Sequence, residues 1–180
     1  NLLIEALDDT RAFDGYLVNL DDGSQTALAC RAAQLPAHHE SMRGIYRDFR
    51  FPLSDEDDPT ARCFLRKQPM LFDDSTIGEV GGVVATAYRR WSAHAVALLP
   101  IVAGGRSVGM LMAFREEPLE PDRLVLVERV LALFATRIGH ALSHDQLRAK
   151  EAAATAALEE KQAFLEFISK VNNLSSTDSI

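Results

Sequence analysis

Residues 94–114 read HAVALLPIVAGGRSVGMLMAF. Two apolar runs flank Ala103-Gly104-Gly105-Arg106, the pattern of a hairpin turned on glycine. Neither run alternates apolar with polar, so both faces of both strands need cover. Pro100 interrupts the first run and Gly109 the second. Proline in a sheet marks an edge or a bulge, and a strand glycine marks a close approach of another backbone. Neither residue implies chemistry. The stretch predicts the buried part of a sheet, with one face on a long C-terminal helix and the other on short helices.

Toward the N-terminus, residues 16–35 (YLVNLDDGSQTALACRAAQL) hold two apolar-rich runs around Asp21-Asp22-Gly23-Ser24, a second hairpin. Residues 1–15 read as a helix end running into a turn. Residues 36–48 (PAHHESMRGIYRD) form a polar connection with room for a short helix, and FRFPL (49–53) suits an edge strand around Pro52. Asp58 can cap a helix with Pro59 in its first turn, and Pro69 stops it. Ala61, Phe64 and Leu65 would share its inner face. Thr76 and Glu79 have capping-box spacing. Val80, Val83, Val84, Ala87, Tyr88 and Trp91 then make one stripe, which predicts a helix over 77–91. Gly81 and Gly82 inside it would cost about 1 kcal/mol each relative to alanine, making this helix a soft element.

Between Pro121 and about Val171 there is no further proline, and the one glycine is Gly139. Such a helix would be about 75 Å long at 1.5 Å per residue, wider than a small domain, and is expected to leave the body. Its first part is apolar at Leu124, Val127, Leu131, Phe134, Ile138 and Ala141; its middle, RAKEAAATAALEEKQ (148–162), is rich in Ala, Glu and Lys. Leu147, Ala154, Leu158, Leu165 and Ile168 fit a seven-residue repeat, with Glu151 and Lys161 as polar interruptions. That seam suits a parallel pair of helices and predicts a homodimer. The expected organisation is a sensor body over 1–148, a helical linker over 149–171, and over 172–180 the start of a following module or a disordered end.

Composition narrows the function. Hydrophobic residues make up 47% and charged residues 25%, as in ordinary globular chains. A net charge of −7 disfavours nucleic acid and anionic membranes as partners. No apolar run approaches the roughly 20 residues of a membrane span. Cys30 and Cys63 match neither a zinc ribbon nor a Cys-x-x-Cys pair, which favours a reducing, cytoplasmic compartment. The chain starts at Asn1 and is expected to be a piece of a longer protein.

Order and local pattern together resemble a GAF domain. LLPIVAGGRSVGMLMAF (98–114) is similar to the family's strand, Pro step, glycine turn and Gly-containing strand. LEPDRLVLVERVLALFATRIGHAL (119–142) resembles the helix that follows, and LRKQPMLFDDS (65–75) the segment leading to an apolar residue and Asp. The resemblance covers about residues 2–148. It implies an α+β fold with an antiparallel sheet of five to six strands flanked by helices. It also implies a pocket between sheet and short helices, lined by Phe51, Phe64, Phe72, Tyr88, Trp91 and His94 with Asp74 as polar contact. Core packing is the competing role for each aromatic. The implied function is sensory or regulatory, in a bacterial signalling protein: a small molecule or a neighbouring domain acts through the paired helix on an output domain. The alternative is a ligand-free dimerisation scaffold with a filled pocket.

Other motifs fall short of chemistry. No bilin, haem or metal signature is present, so the cofactor is unknown. Cys63 lacks the neighbouring Asp-Ile-Pro of bilin-binding relatives, and FREEPLEPD (114–122) keeps little of the cyclic-nucleotide signature. His140 and His144 lie four apart but lack the Glu of His-Glu-x-x-His. The stretch 141–150 departs from a histidine-kinase phospho-acceptor box by inserting Gln146 and lacking a proline. His38, His39 and Glu40 read as surface groups, and Asp55–Asp58 lacks calcium-loop spacing. No nucleophile elbow, phosphate loop or placed carboxylate pair appears, so no enzyme and no metal are expected.

Overall fold

The structure, a computed structural model, describes the backbone of residues 2–177, and their side chains apart from Arg47, Pro121 and 169–177. Helix α1 (Leu2–Asp8) precedes the hairpin of β1 (Gly15–Asp21) and β2 (Ala27–Gln34). A 3-10 turn (Ala37–Met42) and helix α2 (Arg43–Asp48) lead to β3 (Arg50–Pro52). Helix α3 (Pro59–Arg66), β4 (Met70–Asp73), a 3-10 turn (Ile77–Glu79) and helix α4 (Gly82–Arg90) follow. Strands β5 (Ala95–Ala103) and β6 (Arg106–Arg115) are the opening stretch, and α5 is Pro121–Thr177.

The fold is α+β. Six strands form one sheet in the order β3-β2-β1-β6-β5-β4, with every neighbouring pair antiparallel. β3 sits at one edge and pairs through Ala27↔Pro52, a position that spares proline's missing N–H.

The two-sided strands are covered on both sides. Val96 and Leu98 of β5 and Met110, Met112 and Phe114 of β6 join a core with residues of α2, α3 and α4. Ala97, Leu99 and Ile101 of β5 and Leu111 and Ala113 of β6 face the other way, onto α1 and the start of α5 (Val127, Leu131, Ala135). Strand period two thus splits the apolar residues between two cores.

Pro100 and Gly109 have local reasons. The β4 ladder ends at Met70↔Leu98, so Pro100 lies past the last residue that β4 pairs. The β5–β6 register shifts one residue later, between Ile101 and Val102. At Gly109 an added Cβ would stand 2.4 Å from Asn19 O and 2.6 Å from Leu20 Cδ2. Gly139, the one glycine of α5, likewise faces Ala103, whose Cβ would be 2.5 Å from an added Cβ.

Three expectations need correction. The helix predicted over 77–91 begins at Gly82: Val80 is extended, and Thr76 makes no side-chain cap. Gly81 is the N-cap and Gly82 (φ +68°) the first helical residue, so neither weakens a helix interior. The penalty for interior glycine does not apply at a helix start. Leu65 of α3 points to solvent, while Cys63 is buried beside Ala61 and Phe64. That helix stops at Lys67, which is left-handed (φ 55°), before Pro69 is reached.

The chain divides into two compact units, residues 1–140 and 141–180. The first holds the sheet and both cores. In the second, α5 continues to Thr177, and Leu147, Ala154, Leu158, Leu165 and Ile168 are all exposed. The module start expected over 172–180 lies mostly in side chains outside the described residues, and 178–180 lie outside them altogether. Among the described residues, no helix is long and apolar enough to cross a membrane.

Candidate functional site

The residues expected to line a pocket separate into two groups. Phe51, Phe64, Phe72 and Trp91 are buried in the core under the short helices. Trp91 lies against Phe114 with ring centroids 3.8 Å apart and against Tyr46 edge-on at 5.3 Å. Phe51 meets Phe49 edge-on at 4.8 Å. These aromatics fill space between sheet and helices.

Asp74, Tyr88 and His94 come together at the surface. Asp74 lies in the turn after β4, Tyr88 in α4, and His94 just before β5. The Tyr88 hydroxyl donates to Asp74 Oδ1, and His94 Nδ1 is 2.7 Å from Asp74 Oδ2. The Tyr88 bond, then the His94 bond, holds the Asp74 carboxyl below its ordinary range. Desolvation, helped by Asp74, pushes the Tyr88 phenol up to about 12. The neighbouring turn is built by Asp73, whose Oδ1 accepts from the backbone and hydroxyls of Ser75 and Thr76. An acidic group between a phenol and an imidazole ties three segments and leaves hydrogen-bonding capacity at the surface. It supplies no activated nucleophile.

An open groove of about 480 Å³ lies between α2 and α4. Ile45, Tyr46 and Phe49 form one wall, Val83 and Ala87 another, and Arg89 and Arg90 stand at one end. Sequence reasoning missed these walls, because nothing in the sequence brings residues 45–49 to residues 83–90. Tyr46 joins groove to core. Burial pushes its phenol up to about 12, against a smaller lowering by the Arg90 charge and by the Trp91 indole beside it. Among the described residues, no partner meets hydrogen-bond geometry at the buried Trp91 Nε1. Among the described residues, neither Arg89 nor Arg90 is ion-paired with a carboxylate.

Both thiols are held toward the protonated form. Burial pushes Cys63 up to about 12 and raises Cys30, partly offset by its bond to Ala32 O. Thiolate is the reactive form, and burial disfavours it at both positions.

A six-stranded antiparallel sheet between α1/α5 on one side and α2, α3 and α4 on the other, with an open groove between α2 and α4, defines a small α+β module. The chain belongs to the GAF domain family, whose model matches residues 3–138. Solved structures agree on the fold. The GAF domain of a two-component sensor histidine kinase from Bacillus halodurans is similar at 15% identity and TM-score 0.62, covering 79% of this chain and 95% of that one. A GAF domain/HD domain protein from Geobacter sulfurreducens gives 17% identity and TM-score 0.61 over 77% and 88%. Residues 122 to 287 of a methyl-accepting chemotaxis protein give 18% and 0.59 over 79% and 85%. No curated protein matches the chain.

Proposed function

We propose that this chain is a non-catalytic sensory domain that binds a small amphipathic acid in the groove between α2 and α4. One observation carries the reading: an open apolar groove lined at Arg89 and Arg90 by two guanidinium groups that, among the described residues, no carboxylate pairs. Apolar walls with a few placed polar groups suit a small-molecule site. A guanidinium pair suits a carboxylate. Both arginines also complement the negative end of the α4 dipole, a role they fill with or without ligand. The structural relatives named above come from a sensor kinase, a GAF/HD protein and a chemotaxis protein, and those settings support a covalently attached output domain. Two free cysteines accord with a reducing, cytoplasmic setting.

Binding would press on Tyr46, hence on Trp91 and Phe114 of β6. From there the route continues to Arg115, whose Nη1 donates to Arg11 O and Ala12 O; Arg123 of α5 donates to the same Arg11 O. The signal then passes to α5, paired along Leu147, Ala154, Leu158, Leu165 and Ile168 with a second copy. A ligand shifts such an equilibrium only through unequal affinity for the two arrangements. Asp74, Tyr88 and His94 serve as the polar tether of α4.

The test is a thermal-shift screen of the chain with aromatic and aliphatic carboxylic acids and their neutral amides. A ligand at a hundred times its Kd adds about 2.7 kcal/mol, several degrees of Tm at this chain length. Acids should raise Tm and amides should not; Arg90→Gln should lower the ligand-free Tm slightly, through the lost charge at the end of α4, and should remove the further rise that acids produce. A flat screen would favour the second reading, a ligand-free dimerisation scaffold. The burial of Phe51, Phe64, Phe72 and Trp91 as core supports that alternative.

A further inference from the structure

His38 and His39 do not use their neighbour Glu40, which pairs with Arg43 at 2.6 Å. They turn instead toward Glu116, 78 residues away from His38 in the chain. His38 Nε2 lies 2.8 Å and His39 Nε2 3.4 Å from the same Glu116 Oε1. The three candidate donor atoms all lie within 4.8 Å of one another. His39 is mostly buried, its ring edge-on to Phe114 at 6.2 Å, and its Nε2 is buried without a hydrogen-bond partner of good geometry. Glu116 is fixed from behind: its backbone N–H donates to Asp14 Oδ2 at 2.8 Å, and Asp14 N donates to Phe114 O at 2.9 Å. The Nη atoms of the nearby Arg115 go to the Arg11 and Ala12 carbonyls and to Glu117 rather than to Glu116.

We propose that His38, His39 and Glu116 form a binding site for a divalent transition-metal cation of the zinc class, with water completing the shell. The reading is independent of the groove and of its ligand. Two imidazoles and one carboxylate make a recurring three-ligand set for such cations, and hard magnesium or calcium would want more oxygens. Tetrahedral zinc bound at about 2.0–2.1 Å holds its donors about 3.3 Å apart. The His39–Glu116 spacing of 3.4 Å already matches, and the His38–Glu116 spacing of 2.8 Å would open slightly on binding. Both imidazoles bind as neutral rings through Nε2. The metal would fasten the 3-10 turn before α2 to the connection between β6 and α5.

The test uses the chain stripped with EDTA and titrated with zinc chloride by calorimetry and thermal shift, with cobalt(II) as a spectroscopic probe. One zinc per chain, a raised Tm, intense low-coordination cobalt bands and no response to magnesium are expected. Loss of a direct ligand should cost more than the roughly 10–100-fold in affinity typical of losing an outer-shell partner. His38→Ala and Glu116→Gln should each do so. His38 is exposed, so its variant decides the matter even where His39→Ala fails to fold. A double His140→Ala, His144→Ala variant should bind zinc as the parent does. Absence of one-to-one binding overturns the proposal, as does binding that survives His38→Ala and Glu116→Gln. So does binding lost with His140 and His144, and in those outcomes the histidine–glutamate contacts are ion pairs alone.

Discussion

Gly109 shows how one missing side chain sets a register. β1 pairs β6 through Leu20↔Gly109, and on the other side β5 pairs through Ile101↔Gly109. The atom an added methyl would strike is a backbone oxygen, Asn19 O, at the bulge between Val18 and Asn19. A flexible side chain could turn away; a paired strand cannot. Gly109→Ala should therefore cost about 1–3 kcal/mol, the usual range for overpacking. Urea unfolding would report it as a lower midpoint at unchanged slope; an unmoved midpoint would mean the backbones are not in such close contact. The strand glycine and Pro100 were legible in the sequence because each breaks a local rule that has few structural solutions. The pairing of His38 and His39 with Glu116 was not legible, because no local rule connects residues so far apart in the chain.

At the scale of elements, α4 is defined by what surrounds it more than by its own sequence. Its apolar stripe was readable, and Val84, Ala87 and Trp91 of that stripe are buried. Its start was not. A Thr-x-x-Glu box competes with a Gly-Gly pair, and the left-handed φ of Gly82 decides for the later start. An added Cβ there would also stand 2.6 Å from Asp58 Oδ2, at the cap of α3. Phe51, Phe64, Phe72 and Trp91, expected around a pocket, are buried in the core for a related reason: spacing places aromatics on a helix or strand face without saying whether the facing layer leaves room. The Asp74–Tyr88–His94 tether gives α4 a pH signature. The Asp74 pKa is lowered, so its contribution is full above the ordinary carboxylate value and lost as pH falls through the folded one. The Tyr88 pKa is raised from 10.0 to about 12, so its contribution is full below 10 and lost as pH rises toward 12. Asp74→Asn removes the acid-side loss. It should also let Tyr88 ionise at a lower pH, though still above 10, because desolvation is the larger cause. Alkaline phenolate absorbance, with Tyr88→Phe as the reference, would read this; an unchanged Tyr88 titration in Asp74→Asn would break the tether.

At the scale of the whole molecule, the C-terminal unit poses a problem of solvation. Leu147, Leu158, Leu165 and Ile168 are between 39% and 57% exposed in the single chain. Burying one such side chain is worth about 1.5–3 kcal/mol. Helicity alone does not imply a partner, since residues 148–162 are rich in Ala, Glu and Lys, which form helix readily. The seam is what the proposed helix pair rests on: its apolar residues recur every seven while Glu151 and Lys161 break it at two places. In a coiled coil such polar breaks lower stability and fix register. A double Leu158→Glu, Leu165→Glu variant should sediment as a monomer where the parent sediments as a dimer. Its sheet domain should melt at the parent's temperature once association is subtracted, because neither residue belongs to either core. A parent chain that stays monomeric at high micromolar concentration would refute the pair, and with it the route by which the groove would speak to an output domain.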